Sequence, residues 1–592
     1  MTTASLSKAQ NIVSTAPTLA YTVAIPEPNS HLFAVTLHIT RWTEAVLNLK
    51  MAVWTPGSYL VREYARLVQD FRAYDGDDNK TLPARKISKN HWQIQTENSK
   101  SITVTYKVYA NDLTVRTNHI DGTHAYFNGA ALFYFLPGWE KQSVTVTIIP
   151  PYPDWKISTA LEPVSGETNK FIAPDFDTLV DCPVEIGIHD VYEFEALGKP
   201  HKLVIWGQGN ANPTQIIADT QKIIAVEADL YEGLPYDRYL FLLHLSNGGY
   251  GGLEHKNSCT LNYIRFGLRD KDKYNRFMQL LAHEFFHLWN IKRIRPQALE
   301  TFDYERENYT SSLWFAEGTT SYYDMVIPLR AGIYGAKNFL EILGKEITRY
   351  MMTPGRKVQP LGESSFDAWI KLYRRDNNSD NNQISYYLKG ELVSLLLDLK
   401  IRTLSQNARS LDDVMKLMWR KFGKDEIGYS DGELISTIES VAGMDLSQFY
   451  THYIDGLEEL PFNEYLQPFG LEVRRVIEGE GIPYLGGRIQ SENGREIIKF
   501  VEMGSPLQRA GIDPEDELLA IDGFKVTGEG INDRLKDYRP GDMIQITVFH
   551  QDQLRTLAVQ LEKPQPIRYE VVRIDNPTES QQQNFSRWVK QA

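Results

Sequence analysis

The chain has 592 residues, enough for three to five folding units at roughly 100–200 residues each. Hydrophobic residues make up 42% and charged residues 23%, which excludes a collagen-like or wholly disordered chain. Asp and Glu outnumber Lys and Arg by 76 to 63, a net charge of −13, with no run of five or more basic residues, so nucleic acid and anionic lipid are poor partners. Two cysteines, Cys182 and Cys259, cannot form a disulfide framework and suit a reducing compartment. The first twenty residues lack a secretory apolar block, and no stretch of about 18 apolar residues occurs anywhere. The expectation is a cytoplasmic protein with no membrane partner.

Residues 1–17 are small and polar and read as a flexible tail. From 18 to 181 the pattern has period two. Phe33, Val35, Leu37 and Ile39 alternate with Ala34, Thr36 and His38, and Ile102, Val104, Tyr106 and Val108 repeat the alternation. A β-sandwich-like domain is expected there, and the Trp54-Thr55-Pro56-Gly57-Ser58-Tyr59 turn is assigned to packing. Strands are expected to continue from 184 to 259. After Asp270, Phe277, Leu280, Leu281, Phe285 and Leu288 share one helical stripe, expected to run until Arg295-Pro296 stops it. Further helical patterns cover 313–327, 336–351, 387–404, 411–422 and 431–441. Together these predict an α+β domain over 182–457 with a mainly helical second half. A linker at 458–470 leads to short strands over 471–563, and a polar tail at 564–592 is expected to dock through Phe585 and Trp588.

His283-Glu284-Phe285-Phe286-His287 is the most informative string. Residues four apart on a helix are offset by a net angle of about 40°, so the two imidazoles project side by side and can supply two nitrogen ligands to Zn²⁺. Glu284 lies about 100° round from His283, placed to serve water rather than the metal. This composition yields at most about 0.04 chance occurrences of H-E-x-x-H per chain. The alternative is two surface histidines on an amphipathic helix. Glu317 sits in the apolar stretch Leu313–Tyr323 and is the candidate third ligand, because a buried carboxylate needs a partner. Arg293 or Arg295 is the competing partner.

With Leu288-Trp289-Asn290-Ile291-Lys292-Arg293-Ile294-Arg295-Pro296 after the histidines, and Glu317 in a W-x-x-E-G-x-T setting, the chain resembles the glycyl-aminopeptidase family of gluzincin metallopeptidases. The resemblance implies a thermolysin-like catalytic domain with one Zn²⁺ per chain on His283, His287 and Glu317, and Glu284 as general base. It implies release of small N-terminal residues, Gly and then Ala, from peptides with a free N-terminus.

Gly251-Gly252-Leu253-Glu254-His255 is similar to the Gly-x-Met-Glu-Asn segment of larger zinc aminopeptidases. There the strand aligns the peptide and the Glu receives the α-amino group. Glycines at this strand would let a substrate backbone come close. A glycine-rich hairpin with a solvated Glu254 is the alternative, and His255 has no assigned role. Tyr387-Leu388-Lys389-Gly390 resembles the segment in which related enzymes place an oxyanion-stabilising tyrosine, with Tyr386 as the alternative. The loop Asp376–Asn382 lacks an EF-hand Gly and Glu and reads as a polar loop.

The C-terminal module resembles a PDZ domain, with Tyr484-Leu485-Gly486-Gly487 as the loop that would hold a peptide C-terminus. Two other readings stay open. One is a PDZ-led peptide-binding adaptor with a degenerate peptidase domain; the other is a zinc endopeptidase.

Overall fold

The structure, a computed structural model, describes residues 16–477 and 481–589. All but the last two residues of the tail expected over 1–17 lie outside the described residues. The chain forms two compact units. The first comprises residues up to 210 together with 236–266 and 303–306.

Alternation along Leu32–Thr40 buries Phe33, Val35, Leu37 and Ile39, the face that period two requires. This strand pairs antiparallel with Thr18–Ala24 and Ser101–Tyr109 in a seven-stranded sheet. A four-stranded sheet contains Val46–Met51 and His91–Gln95. Phe71 of the larger sheet stacks on Trp92 of the smaller at 4.1 Å, and the Tyr106 hydroxyl donates to Leu132 O at 3.0 Å. A second four-stranded sheet contains His119–Ile120, His124–Phe127 and Val184–Gly187, and a five-stranded sheet completes the unit. Lys199–Trp206, Tyr239–Ser246 and Ser258–Ile264 run parallel, and Tyr239–Ser246 is buried throughout, as a parallel strand covered on both faces requires. The short strand Gly251–Glu254 lies antiparallel at the edge of this sheet.

The second unit comprises 211–235, 267–302 and the chain from 307 onward. The expectation of uninterrupted strands from 184 to 259 is corrected by the helix Pro213–Leu230, capped by the Asn212 side chain with Pro213 at its first position. The helix Lys271–Phe286 ends well short of Pro296, another correction. His287 is its C-cap, and the chain turns through Ile291 at φ 104°, a conformation a β-branched residue adopts only under tertiary constraint.

The pattern over 313–327 begins as a π-helical turn, Trp314–Gly318, and continues as Thr319–Arg330. Helices Ala336–Met351, Tyr386–Leu404 and Asp431–Ala442 lie where periodicity puts them. Leu411–Met418 closes on a second π-turn, Trp419–Gly423. The polar loop Asp376–Asn382 contains one short helical turn, Ser379–Asn382.

The PDZ module closes around Ile498, Leu518, Ile521, Ile544, Ile546 and Val559, with Gly487–Glu492 at the edge of its sheet. The terminal segment contributes a strand, Arg568–Arg573, paired with Leu471–Val476, and a helix, Glu579–Trp588. Trp588 is buried against Phe339 and Phe469, and its Nε1–H donates to the Tyr322 hydroxyl at 3.1 Å. No helix among the described residues is long and apolar enough to cross a membrane.

Candidate metal centre

The helix Lys271–Phe286 buries Phe277, Leu281, Phe285 and Phe286, which fixes its rotation and turns His283 and His287 the same way. His283 Nε2 and His287 Nε2 are 3.0 Å apart. Glu317 Oε2 is 3.1 Å from the His287 nitrogen and 3.5 Å from the His283 nitrogen. The three side chains are 13%, 1% and 2% exposed, so the reading as surface histidines is excluded. The arginine reading of Glu317 also fails. Arg293 donates to Leu288 O at 2.8 Å and Pro235 O at 3.1 Å, and Arg295 faces Glu426 at 3.5 Å.

Electrostatics agree with the geometry. Burial works against charge on Glu317, yet His287 and His283 hold its carboxyl below the usual range. Burial likewise opposes charge on His283, but hydrogen bonds to Asp324 and Glu317 push its pKa well above the usual imidazole range. Two imidazole nitrogens and one carboxylate oxygen converging in this way fit the donor set of a divalent metal with an open position.

Both imidazoles are held from behind. His283 Nδ1 meets Asp324 Oδ2 at 3.0 Å, and His287 Nδ1 donates to Asn290 O at 2.8 Å. The Asn290 side chain donates to Phe315 O, Ala316 O and Thr320 Oγ1 at 3.0 to 3.2 Å, tying the post-helix turn to the π-turn that carries Glu317. A Cβ on Gly318 would come 2.5 Å from Gly390 Cα, so this glycine pair lets the π-turn and the helix Tyr386–Leu404 touch backbone to backbone.

Tyr387 lies a turn before Gly390. Its ring centroid is 6.3 Å from that of His283, and its hydroxyl is 2.9 Å from that of Tyr373. Burial and the charge of Glu317 raise its pKa well above the phenol range, so it keeps its proton and stays a donor. Tyr386 is fully buried, 3.1 Å from the same Tyr373 hydroxyl, whereas Tyr387 is half-buried. Glu284 is buried on the metal helix.

Glu254 belongs to the first unit. It is buried, against the reading of a solvated hairpin, and its Oε1 has no hydrogen-bond partner among the described residues. A Cβ on Gly57 would come 2.7 Å from Glu254 Oε2, so the Trp54–Tyr59 turn, assigned to packing from sequence, is shaped around this carboxylate. Gly252 O accepts from Arg116 at 3.0 Å, and Gly251 precedes it on the edge strand. His255 Nδ1 lies 3.2 Å from Asp181 and pins the strand's end. In the PDZ module Tyr484 exchanges backbone hydrogen bonds with Glu562, Leu485 is buried, and Gly486 and Gly487 lead into the edge strand.

Family models match along the chain: Peptidase M61 N-terminal domain over residues 20–188, M61 glycyl aminopeptidase over 276–393 and PDZ domain over 483–561. An aminopeptidase N family protein from Idiomarina loihiensis is 32% identical, with 97% of this chain and 100% of that one aligned at a TM-score of 0.91. The chain belongs to the M61 glycyl aminopeptidase family. It is a multidomain peptidase of that family, with an N-terminal β-rich domain, a catalytic domain with a helical part and a C-terminal PDZ domain.

An M1 zinc metallopeptidase from Deinococcus radiodurans, solved with a Tyr-Ser-Ala substrate, aligns over 75% of this chain and 94% of its own at 14% identity and a TM-score of 0.47, too remote to assign anything. A probable CtpA-like serine protease from Staphylococcus aureus is 29% identical over 100 residues, 16% of this chain; the M61 chain spans about a fifth of that relative's length.

The sequence reading of this M61 chain does not single out Asp324, Asn290 or Gly57. Asp324 lies seven residues after Glu317, two helical turns on, and that spacing is the only signal the sequence offers for it.

Proposed function

We propose that this M61 protein is a zinc aminopeptidase that removes glycine, and then alanine, from peptides with a free N-terminus. The reading rests on one observation, the convergence of His283, His287 and Glu317 within 3.0 to 3.5 Å of one another. These residues would hold one Zn²⁺. When bound, the ion supplies a Lewis acid that polarises a scissile carbonyl and acidifies water.

The chain's own groups do the rest. Glu284 takes the proton of the attacking water and returns it to the leaving amine. Tyr387, kept protonated by burial, donates to the oxyanion that develops on the carbonyl. Asp324 and Asn290 hold the imidazole rings in one orientation. Glu254 receives the α-amino group while Gly251 and Gly252 align the substrate backbone, an assignment that follows the family resemblance and is supported by the burial of that carboxylate. Anchoring the ammonium selects the first peptide bond and makes the enzyme an exopeptidase. The PDZ loop Tyr484–Gly487 takes a peptide C-terminus. Both cysteines are buried thiols, which suits action in the cytoplasm.

The test compares a chromogenic glycyl amide with its N-acetylated form. Wild type should hydrolyse only the free amine, and Glu254→Ala should lose at least about tenfold in kcat/KM. Equal turnover of both substrates by wild type would make the protein an endopeptidase.

A further inference from the structure

In the first unit, a tight hairpin joins His119–Ile120 to His124–Phe127 and presents the order His-x-Asp-x-x-His. One ring nitrogen each of His119 and His124 and one carboxylate oxygen of Asp121 lie within 4.8 Å of one another. His119 Nε2 is 3.3 Å from Asp121 Oδ2. The other Asp121 oxygen accepts from the N–H groups of Thr123 at 2.7 Å and His124 at 3.1 Å, so the turn itself fixes where the carboxylate stands.

His124 is wholly buried. Its Nδ1 meets Oε1 of Glu185 at 2.8 Å, and the second Glu185 oxygen is 2.9 Å from His244 Nε2. A carboxylate can only accept, so against Glu185 the donor nitrogen of His124 is Nδ1. That leaves Nε2 as the lone-pair nitrogen, and it has no hydrogen-bond partner among the described residues. Trp206 stacks on the ring at 3.5 Å and keeps it from turning toward water. His119 Nδ1 is likewise buried without a partner.

A buried imidazole nitrogen left without a donor is costly unless something occupies it. As at His283, a carboxylate grips the Nδ1 of His124. We propose that His119, Asp121 and His124 bind a second divalent cation, of zinc-like preference, with Glu185 as the carboxylate that orients His124. Two imidazoles and one carboxylate suit such an ion and leave a position for water. The His119 and Asp121 side chains are 14% and 36% exposed, so the ion reaches the hairpin from solvent. Bound there, it would fasten the hairpin to the buried Glu185–His244 pair. The expectation of one Zn²⁺ per chain then covers the peptidase centre alone, and this second site stands independently of that reading.

The experiment strips the full-length protein with a chelator and titrates it with Co²⁺, whose visible absorption counts occupied sites. Wild type should take up two equivalents, and His283→Ala should retain one. Adding His119→Gln or Asp121→Asn to His283→Ala should abolish that remaining equivalent. Asp121→Asn keeps the oxygen that caps the turn, and circular dichroism verifies that the variants fold. Saturation of wild type at a single equivalent that His283→Ala abolishes would overturn the proposal, as would persistence of the second equivalent in both folded hairpin variants. Failure of the peptidase reading alone would show differently, as a bound ion lost with His119 but not with His283.

Discussion

Asp324 shows how an imidazole is oriented from behind. The carboxylate sits 3.0 Å from His283 Nδ1 and fixes which nitrogen faces the other donors. Asp324→Asn should weaken metal binding by about 10–100-fold in a chelator competition, and an unchanged affinity would remove Asp324 from the centre. The two histidines and Glu317 were legible because helical spacing and an apolar neighbourhood are local properties of the chain. Asp324 was not, because nothing local distinguishes it from any acid on a helix until the fold brings His283 opposite it. A different residue carries a pH signature. Burial lowers the His201 pKa to about 4, and its Nε2 contacts the Tyr236 hydroxyl at 2.8 Å. The unfolded chain therefore takes up a proton below pH of about 6.5 that the native state refuses, so stability falls from there down to about pH 4. The loss reaches on the order of 3 kcal/mol at most, and urea titrations should show His201→Gln flattening it.

At the level of elements, the centre depends on a backbone crossing. Gly318 on the π-turn meets Gly390 on the helix Tyr386–Leu404, which brings Glu317 and Tyr387 to the same place. Gly318→Ala would put a methyl 2.5 Å from Gly390 Cα and forces the two elements apart. About 1–3 kcal/mol of stability should be lost, together with most of the activity, as read by thermal unfolding and a glycyl amide assay. A variant with wild-type melting and turnover would refute the crossing's role. Periodicity located most of the helices because their apolar stripes face a core. It misjudged the end of the metal helix, where the chain leaves helical geometry to aim the Asn290 carbonyl at His287, a tertiary demand that overrides the continuing apolar stripe. The helix Pro213–Leu230 was missed although Asn212-Pro213 is a start signal, because the strands on both sides set the expected period.

At the scale of the whole molecule, the PDZ module is held to the helical region by the polar loop that the sequence left without a task. Buried Asn381 donates to Val501 O at 2.9 Å and accepts from Met503 N–H at 2.9 Å, and Asp380 pairs with Arg488 at 2.9 Å. The same segment runs on through Ser385, the N-cap of the Tyr387 helix. Asn381→Ala should cost about 1–3 kcal/mol and speed proteolytic release of the PDZ module; an unchanged cleavage rate would mean the module is held by other contacts. The module's glycine turns and short strands were readable in sequence, whereas a clamp made by Asp380 and Asn381 more than a hundred residues away was not.

The central claim is that a divalent cation on His283, His287 and Glu317 works with Glu284 on the first peptide bond of a substrate. Glu284→Gln, assayed for bound zinc and for glycyl amide hydrolysis in one preparation, tests it most directly. The account expects zinc at this centre to match wild type and kcat to fall by at least about a hundredfold. Full turnover in the zinc-loaded variant would contradict it.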